Sequence, residues 1–316
     1  MKKAILIPII VGGSLLIAGF TVLSVGLAYS ASDDGITNTY ELTNQDISNF
    51  DFDLNVSDLE FFASVDGQKK VVCQESEKIV HTVEVADGTL KVRGADNRKW
   101  YEHIFSFNFT RKKVSVYLPA ESYGDLLIRS DTGDIRIMSN FSFHSADIKL
   151  FTGCITYEAS CQDALKIESS TGDIHLGMIH ATTATIEAST GDIHLSRFAV
   201  DNGVSIKAST GRIYATGVTA SDLTANTSTG DISFENTVIE GHLEAHSSTG
   251  DIRFRDSDAA SLNIETTTGD VTGTLLSSKT FTVETRLGHI NVPSSSTGGP
   301  CHIKTTTGDI EISIKA

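Results

Sequence analysis

From Leu126 onward, seven aspartates each follow a glycine, 19–20 or 39 residues apart: Asp134, Asp173, Asp192, Asp231, Asp251, Asp270 and Asp309. If the copies stack about 4.8 Å apart, their carboxylates form a line of hard oxygen ligands of the kind that holds calcium. The same residue types have a second use. Thr and Asp beside a turn hydrogen-bond nearby backbone amides, so the motif can stand without a ligand. Repulsion between exposed carboxylates one step apart is only about 1 kcal/mol in water, and no cation is needed to relieve it. The calcium signature of repeat toxins, GGxGxD on a shorter period, is absent. The aspartates are read as structural.

Other residue types capable of chemistry give weaker patterns. His175 and His194 take the same outward place in successive copies, but no third metal ligand recurs with them. The four cysteines, Cys73, Cys154, Cys161 and Cys301, have neither CxxC nor CxxH spacing. Cys301 falls at an apolar position of its copy and is expected inside. Cys154 replaces a turn aspartate and is expected at the surface, and a bridge from Cys154 to Cys161 stays open. Arg212, Arg253 and Arg255 match a β-helical polysaccharide lyase by charge alone. Trp100 and Tyr101 stand in a polar loop, where scattered aromatics need no special role. There is no GxSxG, HExxH or P-loop. No catalytic, cofactor-binding or metal-binding residue is assigned, and an enzyme is not expected.

The elements that position these residues follow from the glycines. Gly133, Gly153, Gly172, Gly191, Gly211, Gly230, Gly250, Gly269, Gly288 and Gly308 recur every 19 or 20 residues. A period this even over ten copies predicts a solenoid. Apolar residues stand seven and five positions before the glycine, as at Leu165 and Ile167, which makes a strand. Two residues after it comes Ile or Val in every copy, starting a second strand. Ile179, Phe198, Val218, Val238 and Leu275 are expected to close the circuit along a less regular third side. The expected fold is all-β, a single-stranded parallel β-solenoid of about ten rungs over residues 126–316. The glycine allows a positive φ that would cost a residue bearing a Cβ about 1–2 kcal/mol.

Before the repeat, residues 47–125 alternate polar and apolar in stretches such as FDFDLNV and KVSVYLP, which reads as an N-terminal β section. Residues 30–46 are polar and suit a tether. The run from Ala4 to Ala28 is uncharged, and as a helix it would extend about 37 Å against a hydrocarbon core of about 30 Å. Residues 4–29 are therefore expected to form one transmembrane helix. Lys2 and Lys3 place the tip, residues 1–3, in the cytoplasm and the body outside. A cleaved signal peptide is the competing reading, and it puts the body in the same compartment. With 316 residues, a formal net charge of −15 and a pI near 5.0, the chain is poorly suited to nucleic acid.

The uncharged membrane segment, the VYLP strand at Val116 to Pro119 and the serial STGDI or TTGDI turns together resemble the putative adhesin family of bacterial envelopes. This is a domain-of-unknown-function family (DUF4097) that includes LiaG-like proteins. The resemblance implies a β-strand repeat domain on the outer side of the membrane of a Gram-positive bacterium, linked in some members to envelope stress. It carries over no catalytic residues. The expected role is a non-enzymatic binding or scaffold module of the cell envelope whose partner is an envelope protein or a neutral wall glycan. The alternatives are an accessory that modulates a membrane partner and, further off, a glycan-active enzyme.

Overall fold

The computed structural model describes residues 35–98 and 112–315. The expected membrane helix over residues 4–29, and Trp100 and Tyr101, lie outside the described residues. Among those residues no helix is long and apolar enough to cross a membrane.

The described chain is all-β, and the repeat forms the parallel β-solenoid that the glycine period predicts. Equivalent residues stand beside one another in parallel register, as in Ile167, Ile186 and Ile206 before the turn. Ile174, Ile193, Ile213 and Ile232 do the same after it. Alternation sends these side chains inward to a dry core and their neighbours outward. The third side, expected to be irregular, is a strand as well, since Ile179, Phe198 and Val218 stack in parallel. The chain reaches it through left-handed corners at Met178, Arg197, Gly217, Asn236 and Asp256, with φ between 49° and 63°. Val238, expected inside, is 42% exposed, and Ile239 takes the interior place at 2%. The register to the next strand shifts just after Ile239.

Stacking begins before the first glycine turn. Strand Asn49–Ala63 runs parallel to Ser122–Thr132, with Phe50 beside Leu126 and Phe52 beside Ile128. Val56, Ser57 and Asp58 thus occupy the place of Thr, Gly and Asp. On its other edge the same strand pairs in parallel with Thr89–Asp96 and Lys112–Leu118. Later residues therefore lie outside earlier ones. Antiparallel strands Ile79–Ala86, Lys70–Glu75 and Ile36–Glu41 border this outer rung and complete the N-terminal end, so Ile36–Glu41 and the buried Leu42, expected within the tether of residues 30–46, belong to the folded cap. The core there is aromatic: Phe50 meets Phe61, Tyr123 and Phe143 edge to face at centroid distances of 5.1–5.8 Å.

At the far end the spatial order also departs from the chain order. Strand Gly299–Thr307 packs against Ile252–Thr268, with Cys301 beside Leu262, whereas Lys279–Leu287 packs on the outside of Gly299–Thr307. The Gly308 rung thus lies between the Gly269 and Gly288 rungs, and the Gly288 rung is terminal.

Candidate functional site

Each turn is tied to the next by two sets of bonds. The glycine N–H donates to the carbonyl before the glycine of the following rung, as from Gly230 to Thr249 O at 2.9 Å. The aspartate Oδ1 accepts the backbone N–H of the equivalent residue one rung on: Asp173 from Asp192 at 2.8 Å, Asp231 from Asp251 at 2.9 Å, Asp270 from Asp309 at 2.8 Å. Asp58 begins the ladder by accepting from Asp134 at 2.8 Å, and Asp309 ends it by accepting from His289 at 2.7 Å. The sequence pointed to amides of the turn itself. The amides reached belong to the neighbouring turn, so the motif is a device for stacking. Gly230 shows why glycine is needed there, because its φ is +147° and a Cβ would lie 2.0 Å from Gly211 O.

Two of the three arginines, Arg212 and Arg253, lie along this acidic line. Arg212 Nη2 reaches Asp192 at 2.9 Å, Arg253 bridges Asp231 and Asp251, and Arg255 meets Glu235 at 3.2 Å. A guanidinium therefore stands between two ladder carboxylates where a cation would otherwise be considered. The three arginines serve separate carboxylates and do not converge on one groove as a lyase would require.

The cysteines are free thiols. Cys154 is exposed and Cys301 is buried, with its thiol pushed up to about 12, chiefly by burial. Cys161 is buried and donates to Ala164 O at 3.1 Å, so no bridge joins it to Cys154.

Among the described residues, one group of potential metal ligands is packed together, Cys73, Glu75 and His81 in the N-terminal cap. Glu75 Oε1 accepts the His81 backbone N–H at 2.6 Å and faces His81 Nδ1 at 3.3 Å, and Asn38 donates to Oε2. Ser57 Oγ meets His81 Nε2 at 2.9 Å. Burial first, and then the Glu75 charge, push the Cys73 thiol far up and keep it protonated. The carboxylate and both ring nitrogens have protein partners, and the cluster acts as a polar clasp between cap strands.

The outward lane just after the turns has a different character. His175, His194 and Tyr214 stand three residues after their glycines and are neighbours in register. Their rings stack at centroid distances of 4.7 Å, with planes 18° and 11° apart. Arg212 lies over the Tyr214 ring at 5.4 Å. Desolvation first, and then the neighbouring His175, lower the His194 pKa from 6.5 and favour the neutral ring. Beside the stack is a shallow depression of about 190 Å³ whose lining includes Glu158, His175, Met178, His194 and Arg197. The left-handed corners at Met178 and Arg197 set its rim. The two histidines stood out in the sequence. Tyr214 was missed, although its offset from Gly211 equals theirs from Gly172 and Gly191. An outward row of flat rings, exposed at His175 and half-buried at His194 and Tyr214, with a carboxylate and guanidinium groups at its edge, can stack on the apolar face of a ring and bond its hydroxyls.

Fold and site together define a parallel β-solenoid with glycine and aspartate turn ladders and an aromatic strip on one outer face. The chain belongs to the Toastrack family, DUF4097, whose model matches residues 47–255 and 201–316. Among curated proteins none matches it. Solved structures similar to it include a putative lipid binding protein of Parabacteroides distasonis, 16% identical, with a TM-score of 0.49, over 89% of this chain and 99% of that one. A putative adhesin of Bacteroides fragilis is 15% identical, with a TM-score of 0.44 over 89% of this chain and 98% of that one. A putative cell adhesion protein of Clostridium sporogenes is 15% identical, with a TM-score of 0.22 over 89% of this chain and 100% of that one.

Proposed function

We propose that this protein is a non-enzymatic binding module of the bacterial cell envelope, held to the membrane by residues 4–29 with its solenoid outside, and that the His175, His194 and Tyr214 strip binds a neutral wall glycan. The observation that carries this reading is the continuous ring stack beside a depression with both acidic and basic rims. Saccharide rings present apolar C–H faces to such strips and hydroxyls to such rims. The repeat supplies the strip at a fixed rise of about 4.8 Å, which suits an extended partner. The net charge of −15 disfavours anionic wall polymers, whose encounter with an acidic body is slowed by repulsion.

The test is co-sedimentation with insoluble wall material stripped of anionic polymer. The intact chain in detergent should sediment with it, and Tyr214→Ala should sediment far less. Equal sedimentation of the two would remove the strip from the account.

A further inference from the structure

The two ends of the solenoid are finished differently. The N-terminal end is bordered by antiparallel strands, whereas among the described residues strand Lys279–Leu287 pairs on one side only, with Gly299–Thr307. The Leu287 carbonyl accepts the Gly308 N–H, which points it toward the inner rung. Strand alternation then turns the backbone groups of Thr280, Thr282, Glu284 and Arg286 to the free edge. An unpaired edge of this length is a template for another strand. Apolar surface accompanies it, since Leu287 is 69% exposed and Phe281 and Val283 are only partly covered.

The charges on this edge are complementary to themselves. Glu284 and Arg286 are exposed, flank Thr285, and have no ion-pair partner among the described residues. In an antiparallel pair of two such strands centred on Thr285, Glu284 of each copy stands opposite Arg286 of the other. This register is also the one that makes those two residues a hydrogen-bonded pair, because both turn their backbone groups outward. Val283 of each copy then lies opposite Leu287 of the other on the core face. A register shifted by two residues would lose both ion pairs, and a parallel pairing would not create them.

We infer that a second copy of this chain binds here, tail to tail, through antiparallel pairing of strand Lys279–Leu287 centred on Thr285. The contact extends the solenoid wall across both molecules and leaves the two N-terminal ends at opposite extremes of the pair. It is independent of the ring strip and stands whether or not that strip binds glycan.

Register-specific crosslinking of the full chain in detergent tests it. In a Cys154→Ser background, Thr285→Cys places two thiols across a non-hydrogen-bonded pair, where Cα atoms lie about 4.5 Å apart and a disulfide fits. Mild oxidation should give a covalent dimer. Thr282→Cys, which faces Gly288 in this register, should crosslink at least about tenfold more slowly, because its thiols are separated by several residues. Adding Glu284→Arg to Thr285→Cys sets like charges opposite one another and should lower dimer yield about tenfold at limiting concentration. Combining Glu284→Arg with Arg286→Glu should restore it. Equal crosslinking at positions 285 and 282, or no recovery in the double swap, would overturn the pairing.

Discussion

Asp231 Oδ1 accepts the backbone N–H of Asp251 at 2.9 Å, linking residues twenty apart in the chain and adjacent along the solenoid. The bond joins two turns that the glycine ladder has already brought close. A carboxylate in this place does the work of an extra strand bond at the sharpest point of the coil.

Asp231→Ala should therefore destabilise the protein by about 1–3 kcal/mol, having removed the acceptor of an amide and one partner of Arg253. Asp231→Asn keeps an oxygen for the amide and should cost less. Urea unfolding of the two variants checks the order. Chelator should leave both the parent and the variants unchanged, and a calcium-dependent rise in melting temperature would return the ladder to the list of metal sites.

Gly230→Ala should be severely destabilising, by about 2–5 kcal/mol, since it combines a positive φ with a Cβ 2.0 Å from Gly211 O. Gly203→Ala is the matched control. A Cβ there meets nothing within 4 Å, and its effect should be within about 1 kcal/mol of zero. Thermal melts of the two variants should separate widely, and similar melts would mean that the turn is not packed as described.

These contrasts show what the sequence made legible. The turn glycines and the apolar offsets were strong because every rung meets the same steric demand, so the same residue recurs. The place of the Gly288 copy was not legible from period alone, as it is spaced like the others. Its departures did carry a hint: Leu287 and His289 stand where Thr and Asp recur, and a terminal rung has no following amide for an aspartate to receive. The rung at Asn49–Ala63 was hidden because Ser57 replaces the glycine, although Asp58 keeps its bond to the next turn. The left-handed corners escaped notice because Met178, Arg197, Asn236 and Asp256 share a backbone shape and no side-chain type. The ring strip was half visible, in two histidines without the tyrosine that extends them.

The His194 environment predicts a pH dependence. Its folded pKa lies below the ordinary 6.5, so the neutral ring is favoured by the fold. Its contribution is present above about 6.5 and is lost as pH falls through the folded value, because the unfolded chain takes up the proton first. The melting temperature should decline as pH falls below about 6.5, and the decline should be shallower in His194→Gln. A steeper decline in the variant would contradict the assigned sign.

Cys154 offers a test of the proposed topology. It is exposed, while Cys73, Cys161 and Cys301 are buried. A membrane-impermeant maleimide applied to intact wall-stripped cells should label the parent once and fail to label Cys154→Ser. Labelling that appears only after lysis would place the solenoid inside.

Calorimetric titration with soluble neutral wall saccharide fragments tests the central claim most directly, with the fragments weighed by mass spectrometry before and after. The parent should bind, His194→Ala combined with Tyr214→Ala should bind at least about tenfold more weakly for the loss of two stacking rings, and fragment masses should stay unchanged. Equal affinity in parent and variant, or fragments shortened after incubation, would contradict it.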